Sequence, residues 1–193
     1  MVVLQHPLEE HSAKGSARLL RLSLLRSRMV TGEVFAEREL LSLLRDPFEP
    51  HVAATNADKH AILLYPQTAD DTAAAPSLTP EMLRDPSRLR LIVLDGTWRK
   101  SRKILHLNPL LQRLPCLPLH DVSLSRYLIR KAHRADQLST LEATCLALMQ
   151  LEGNAAQFQP LLNAFDGFIG QQLAQRDAGV TAASKSNTNL VQL

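Results

Sequence analysis

The stretch LIVLDGTWRKSRKIL, Leu91 to Leu105, gathers the side chains best suited to chemistry. An apolar run leads into Asp95, and the chain's one tryptophan, Trp98, follows three positions later. Four of the next five residues are basic: Arg99, Lys100, Arg102 and Lys103. A carboxylate where a buried strand ends can serve as a general base. It can equally cap the following helix, a common place for Asp. Thr97 can cap that helix as well, so one of the two side chains is spare. Gly96 between them lets the backbone bend or approach a bound molecule closely. Trp98 at a helix start most simply packs against a sheet. Arg99, Arg102, Lys103 and His106 recur at helical spacing on one face that carries no acid. Such a face suits phosphate contacts.

Two further clusters stand out. Arg126, Arg130, Lys131, His133 and Arg134 form a basic block. It precedes a helix whose start is marked by Ser139 and Glu142 in a capping box. The same helix N-terminus can also bind carboxylates or phosphates. In QHPLEEHSAKGSARLL, His6 follows a short strand and Lys14-Gly15 opens a helix. A lone histidine there is more often structural than catalytic.

From Arg99 to Arg134 there are nine Lys or Arg and one acid, Asp121. That stretch carries +8 against a chain total of +3, so the remainder is acidic, at −5. A basic block in an acidic chain reads either as a footprint for a polyanion or as a solvated surface. No His, Cys, Asp or Glu spacing suits a metal, and Cys116 and Cys145 lie far apart outside any C-x-x-C pair. Cys145 falls on a helical apolar face, which suits core packing. There is no G-x-G-x-x-G, P-loop or G-x-S-x-G sequence.

The elements that must hold these residues follow from periodicity. Val2 to Gln5, Ala61 to Tyr65 and Leu91 to Leu94 are apolar runs of the kind buried on both faces of a parallel sheet. Leu117 to Leu119 is a weaker strand. Helical spacing predicts helices over Gly15–Arg28, Glu39–Leu44, Trp98–Leu107, Gln137–Leu151 and Phe158–Leu173. The proline- and alanine-rich stretch between Tyr65 and Leu91 reads as loop plus a short helix. Strands alternating with helices predict an α/β domain with a mainly parallel sheet flanked by helices. In such folds ligands sit beyond the carboxyl ends of the strands, where Asp95 lies. The domain is expected over residues 1–174, with 175–193 a polar, disordered tail. At 193 residues and 45% hydrophobic, the chain suits one globular domain. No apolar run reaches the roughly 18 residues of a membrane span, and the first residues lack the basic and apolar regions of a signal peptide. A cytoplasmic protein with no membrane partner is therefore expected.

Taken in order, QHPLEE…KGSARLL, ILLYP, LDGTWRKSRKIL, RLPCLPL and SRYLIRKAHRADQLSTLEA resemble the DTW-domain family, the tRNA-uridine aminocarboxypropyltransferases. The resemblance spans about Val3 to Leu151. It implies a SPOUT-like fold with a C-terminal trefoil knot around the cofactor. It also implies transfer of the 3-amino-3-carboxypropyl group of S-adenosylmethionine to N3 of a uridine in tRNA, releasing methylthioadenosine. Asp95 matches the signature acid and is the expected catalytic base. Tyr65, Pro66, Gly96, Thr97, Trp98, Leu117, Leu138, Ser139 and Thr140 are the expected cofactor contacts. Lys14, Arg18, Arg99, Arg102, Lys103, Arg126, Arg130, Lys131 and Arg134 are the expected tRNA contacts. Many bacterial members carry a cysteine-rich, zinc-finger-like segment ahead of the first strand. Here the strand begins almost at residue 1, so either this member lacks that segment or its start lies further upstream; from the residues given no metal is expected. Competing readings are a SPOUT-type RNA methyltransferase, a non-catalytic RNA-binding protein and a small phosphate-ligand enzyme.

Overall fold

Strands of unbroken apolar character need cover on both faces, and the architecture supplies it. The computed structural model describes residues 1–11, 16–48, 59–66, 75–119 and 138–188, with side chains described up to residue 171 and at 174 and 175. Five strands, β1 (Val2–Gln5), β2 (Arg28–Thr31), β3 (His60–Leu64), β4 (Leu89–Asp95) and β5 (Cys116–Leu117), form one sheet in the order β2-β1-β4-β3-β5. Every pairing is parallel. The helices are α1 (Ser16–Ser23), α2 (Glu37–Arg45), α3 (Pro80–Leu83), α4 (Trp98–Leu107), α5 (Pro109–Gln112), α6 (Thr140–Glu152) and α7 (Ala155–Thr188).

Alternation along the strands sorts side chains to two layers. Val2, Leu4, Leu63, Ile92, Leu94 and Cys116 meet Leu40, Leu43 and Leu44 of α2, Ile104 and Leu105 of α4 and Leu111 of α5. Val3, Ile62, Leu91, Val93 and Leu117 face Ala17 of α1 and Ala147 of α6. Outside them, Leu20, Leu141, Cys145, Phe158, Leu162 and Phe165 join α1, α6 and α7. Each fully buried leucine or isoleucine contributes roughly 1.5–3 kcal/mol relative to exposure. Arg90 breaks the apolar pattern of β4. It is buried, donates from Nη1 to Leu43 O (2.8 Å) at the last turn of α2, and lies 4.5 Å from the Phe48 ring centre.

Several boundaries differ from the sequence expectation. The helix expected to run to Arg28 stops at Ser23, and Arg28–Thr31 is an edge strand. Its partly exposed residues carry neither apolar run nor clean alternation, so its signal was weak. The last sheet strand is Cys116–Leu117, since Pro118 has no N–H with which to extend the ladder. Helix α6 starts at Thr140 rather than Gln137 because the Ser139/Glu142 box caps it there. Helix α7 runs from Ala155 to Thr188, past the Leu173 end expected from periodicity. No helix among the described residues is long and apolar enough to cross a membrane.

The strand order sets the site. From β1 the chain moves to β2 on one side. From β4 it moves past β3 to β5 on the other. Neighbouring strands β1 and β4 therefore send their connections in opposite directions. Between their carboxyl ends lies a topological switch point, where open α/β sheets bind ligands.

Candidate functional site

Asp95 closes β4 opposite Gln5, which closes β1. Gln5 Nε2 donates to Asp95 Oδ2 at 2.9 Å, and both residues are buried. The His6 N–H donates to Asp95 O at 2.9 Å, extending the strand pairing into the loop. Asp95 is thus the spare side chain of the two capping candidates. Thr97 takes the N-cap position of α4, yet its side chain makes no capping hydrogen bond. Its carbonyl accepts from Lys100 N (2.8 Å) and Ser101 N (2.9 Å). At Gly96 a Cβ would stand 3.0 Å from Lys100 Cβ and 3.5 Å from His6 Cβ. Glycine there lets α4 close onto the exit of β1.

His6 is 2% exposed and both its ring nitrogens are engaged. Nδ1 accepts from the Leu8 N–H at 3.1 Å, and Nε2 lies 2.7 Å from Glu33 Oε1. This histidine has no free lone pair with which to act as a base. Glu33 Oε2 also pairs with Lys103 Nζ at 2.6 Å. The Lys103 hydrogen bond, with its charge and the His6 contact, holds the Glu33 carboxyl below the usual range. Lys100 Nζ pairs with Glu9 Oε1 at 2.7 Å. Sequence showed a basic α4 face with no acid on it. In space, acids from the turns after β1 and β2 neutralise one lysine of that face, Lys103, and Lys100 beside it. Lys103, expected on tRNA, is exposed and pairs with Glu33, and Arg99 and Arg102 are exposed as well.

Trp98 does not pack against the sheet as expected. It is 51% exposed and stacks on Tyr65, with ring centres 5.0 Å apart and planes at 16°. Tyr65 directly follows β3 and is buried, so it supports the indole from beneath. The first position of α4 carries the indole to the end of β3 instead of across the sheet face.

The DTW domain family matches residues 1–173 of the chain. The chain belongs to the DTW-domain family. It is similar to proteins named tRNA-uridine aminocarboxypropyltransferase 2: at 31% identity over 155 residues in Drosophila melanogaster, covering 78% of this chain and 56% of that protein. The corresponding macaque (Macaca fascicularis) and mouse (Mus musculus) proteins are 27% and 29% identical over 176 residues, covering 90% of this chain and 54% of each. The chain thus spans about half the length of these relatives. No solved structure matches it.

In this DTW domain Asp95, Gly96, Thr97 and Trp98 form one turn at the switch point, with Tyr65 stacked on it. Pro66, next to Tyr65, is exposed. Leu117 ends β5 beside Leu64 and is fully buried. Leu138, Ser139 and Thr140 head α6, where Ser139 Oγ accepts from Glu142 N (3.2 Å) and Glu142 Oε2 accepts from Ser139 N (2.7 Å). Among the described residues no hydrogen bond or ion pair links those three to Asp95. Arg18 is exposed on α1. Lys14, Arg126, Arg130, Lys131 and Arg134 lie outside the described residues. No group of three His, Cys, Asp or Glu able to hold a metal occurs among the described residues. Cys145 is buried, and burial with the nearby Glu142 charge pushes its thiol up to about 12.

Gln5, Glu33 and Asn108 were not singled out from sequence. Gln5 had a legible signal, as the one polar residue closing an apolar strand. Glu33 had none, since its partners lie 27 and 70 positions away.

Proposed function

We propose that this DTW-domain protein transfers the 3-amino-3-carboxypropyl group of S-adenosylmethionine to N3 of a uridine in tRNA. Methylthioadenosine is the second product. The observation that carries this reading is the buried Asp95, fastened by Gln5 at the switch point. The names of the relatives supply the reaction and its tRNA substrate.

S-adenosylmethionine supplies an electrophilic carbon next to a sulfonium leaving group. The residues here fit such a molecule. The exposed indole of Trp98, backed by Tyr65, offers a flat surface to adenine. Gly96 and Thr97 bring backbone groups to the same place, with Pro66 and Leu117 beyond them. Ser139 and Thr140 at the start of α6, or a nearby arginine, anchor the amino-acid end, with Leu138 beside them.

Asp95 takes the N3 proton of uridine through the oxygen that Gln5 does not occupy. Nitrogen N3 then forms its bond to the γ-carbon as the carbon–sulfur bond breaks toward sulfur. Selecting that carbon over the methyl is a matter of placement, and a displacement of about 1 Å costs on the order of 10²-fold. Arg99, Arg102, Lys103 and Arg18, with Lys14, Arg126, Arg130, Lys131 and Arg134, grip tRNA phosphates in this reading. The parallel sheet supports a SPOUT-related fold, with the knot in the C-terminal region. In this reading the protein works in the cytoplasm, and no step of the proposed transfer calls on a metal.

Incubation of unmodified tRNA with the protein and S-adenosylmethionine tests the proposal by nucleoside mass spectrometry. A uridine heavier by one aminocarboxypropyl group, with methylthioadenosine released, is the expected result. A methylated nucleoside would replace it with the SPOUT methyltransferase reading. Bound tRNA with no product would replace it with a non-catalytic RNA binder.

A further inference from the structure

Glu33 differs from an ordinary surface acid in how firmly it is held. Its backbone follows β2, where the Gly32 N–H donates to Gln5 O at 2.9 Å. Its own carbonyl accepts from Nδ2 of the buried Asn108 at 2.8 Å, just beyond the end of α4. Asn108 Oδ1 accepts from Phe35 N at 2.9 Å, so the loop is fastened to α4 on both sides of Val34. Gly32 leaves room for Phe35 at the turn, since a Cβ there would lie 2.8 Å from the Phe35 ring and the ring would have to shift. The Glu33 carboxylate then reaches the two groups that flank the Asp95–Trp98 turn. One oxygen takes His6 Nε2, and the other takes Lys103 Nζ on the second turn of α4.

His6 is the inner jaw of this clamp. Its backbone N–H holds Asp95 O, and its side chain packs beside Gly96. Lys103 is the outer jaw, on the helix that begins at Trp98. We infer that Glu33 is a positioning residue, joining the exits of β1, β2 and β4 and fixing the Asp95–Trp98 turn. The consequence for transfer rests on the function proposed above; the consequence for the turn does not. Removing the carboxylate leaves a buried imidazole N–H without its acceptor and releases Lys103. Asp95 and Trp98 then lose their fixed placement while the substrate-gripping arginines are untouched.

The chain's single tryptophan reports on this turn directly. The test compares Glu33→Ala and Glu33→Gln with wild type and with Glu39→Ala, an exposed acid on α2. All are studied at a temperature where circular dichroism shows them folded. Glu33→Ala should shift the emission maximum of Trp98 and change its quenching by acrylamide. Its kcat for transfer should fall on the order of 10- to 10²-fold, with the KM for tRNA not raised. Glu33→Gln should recover part of both, because its amide oxygen still accepts from His6 Nε2–H. Glu39→Ala should match wild type. A wild-type kcat in Glu33→Ala, or no recovery in Glu33→Gln, overturns the inference. If the wild-type protein transfers nothing, the functional reading fails and the emission data alone decide. Unchanged Trp98 emission then overturns the inference, and a shift rescued by Gln supports it. Should the alanine variant not fold, Glu33→Gln carries the test, with emission and kcat closer to wild type than those of Lys103→Met expected and equal defects contradicting it.

Discussion

Asp95 draws its character from Gln5. One carboxylate oxygen is held by the Gln5 amide and the peptide is held by His6, so the free oxygen has a fixed direction. In the proposed reaction that oxygen is the base, and it would already be oriented before the substrate arrives. Gln5→Leu keeps the strand and the volume but removes the donor. The buried carboxylate then lacks a partner, at a cost of roughly 1–3 kcal/mol. Urea denaturation should show that loss as a lower midpoint with an unchanged slope. An unaltered midpoint would mean that Asp95 does not depend on Gln5. At this scale the sequence was legible for Asp95, a lone acid ending an apolar run, and for the Ser139 cap. It was misleading for Trp98, because local spacing cannot show that Tyr65 of another strand waits for the indole. It was blind to the neutralised lysines, whose acids come from Glu9 and Glu33.

Helix α4 is where residue chemistry becomes geometry. Its apolar side, Ile104 and Leu105, locks into the core, and its basic side begins at the site. The close approach at Gly96 fixes the distance between this helix and β1. Gly96→Ala puts a methyl 3.0 Å from Lys100 Cβ, backbone-proximal carbon with little room to yield. The substitution should therefore push the first turn of α4 outward rather than unfold the domain. Transfer should drop on the order of 10²-fold while the melting temperature changes little. Measured together, a preserved rate in a folded Gly96→Ala protein would deny that this contact sets the site. The bounds of α4 were readable as Trp98–Leu107 because an amphipathic pattern follows a glycine-containing turn. β2 was not readable. An edge strand needs only one neighbour, so Arg28–Thr31 carries no hydrophobic signature, and the preceding helix pattern ran into it.

At the scale of the molecule, the fold places its chemistry by topology. The apolar runs established that the sheet is parallel and buried, but not its order, since each strand reads alike whichever neighbour it has. Only the order β2-β1-β4-β3-β5 makes the ends of β1 and β4 a crevice. It brings Gln5 and Asp95, ninety positions apart, into one hydrogen bond. The proposed function turns on a single claim, that Asp95 is the base for transfer onto tRNA uridine. Asp95→Asn tests it most directly, because the amide keeps the shape and its oxygen can still accept from Gln5. Affinity for tRNA and for S-adenosylmethionine should stay within about 2-fold of wild type, while the single-turnover transfer rate falls by about 10²–10⁴-fold. An Asp95→Asn protein that binds both and transfers at the wild-type rate would contradict the account.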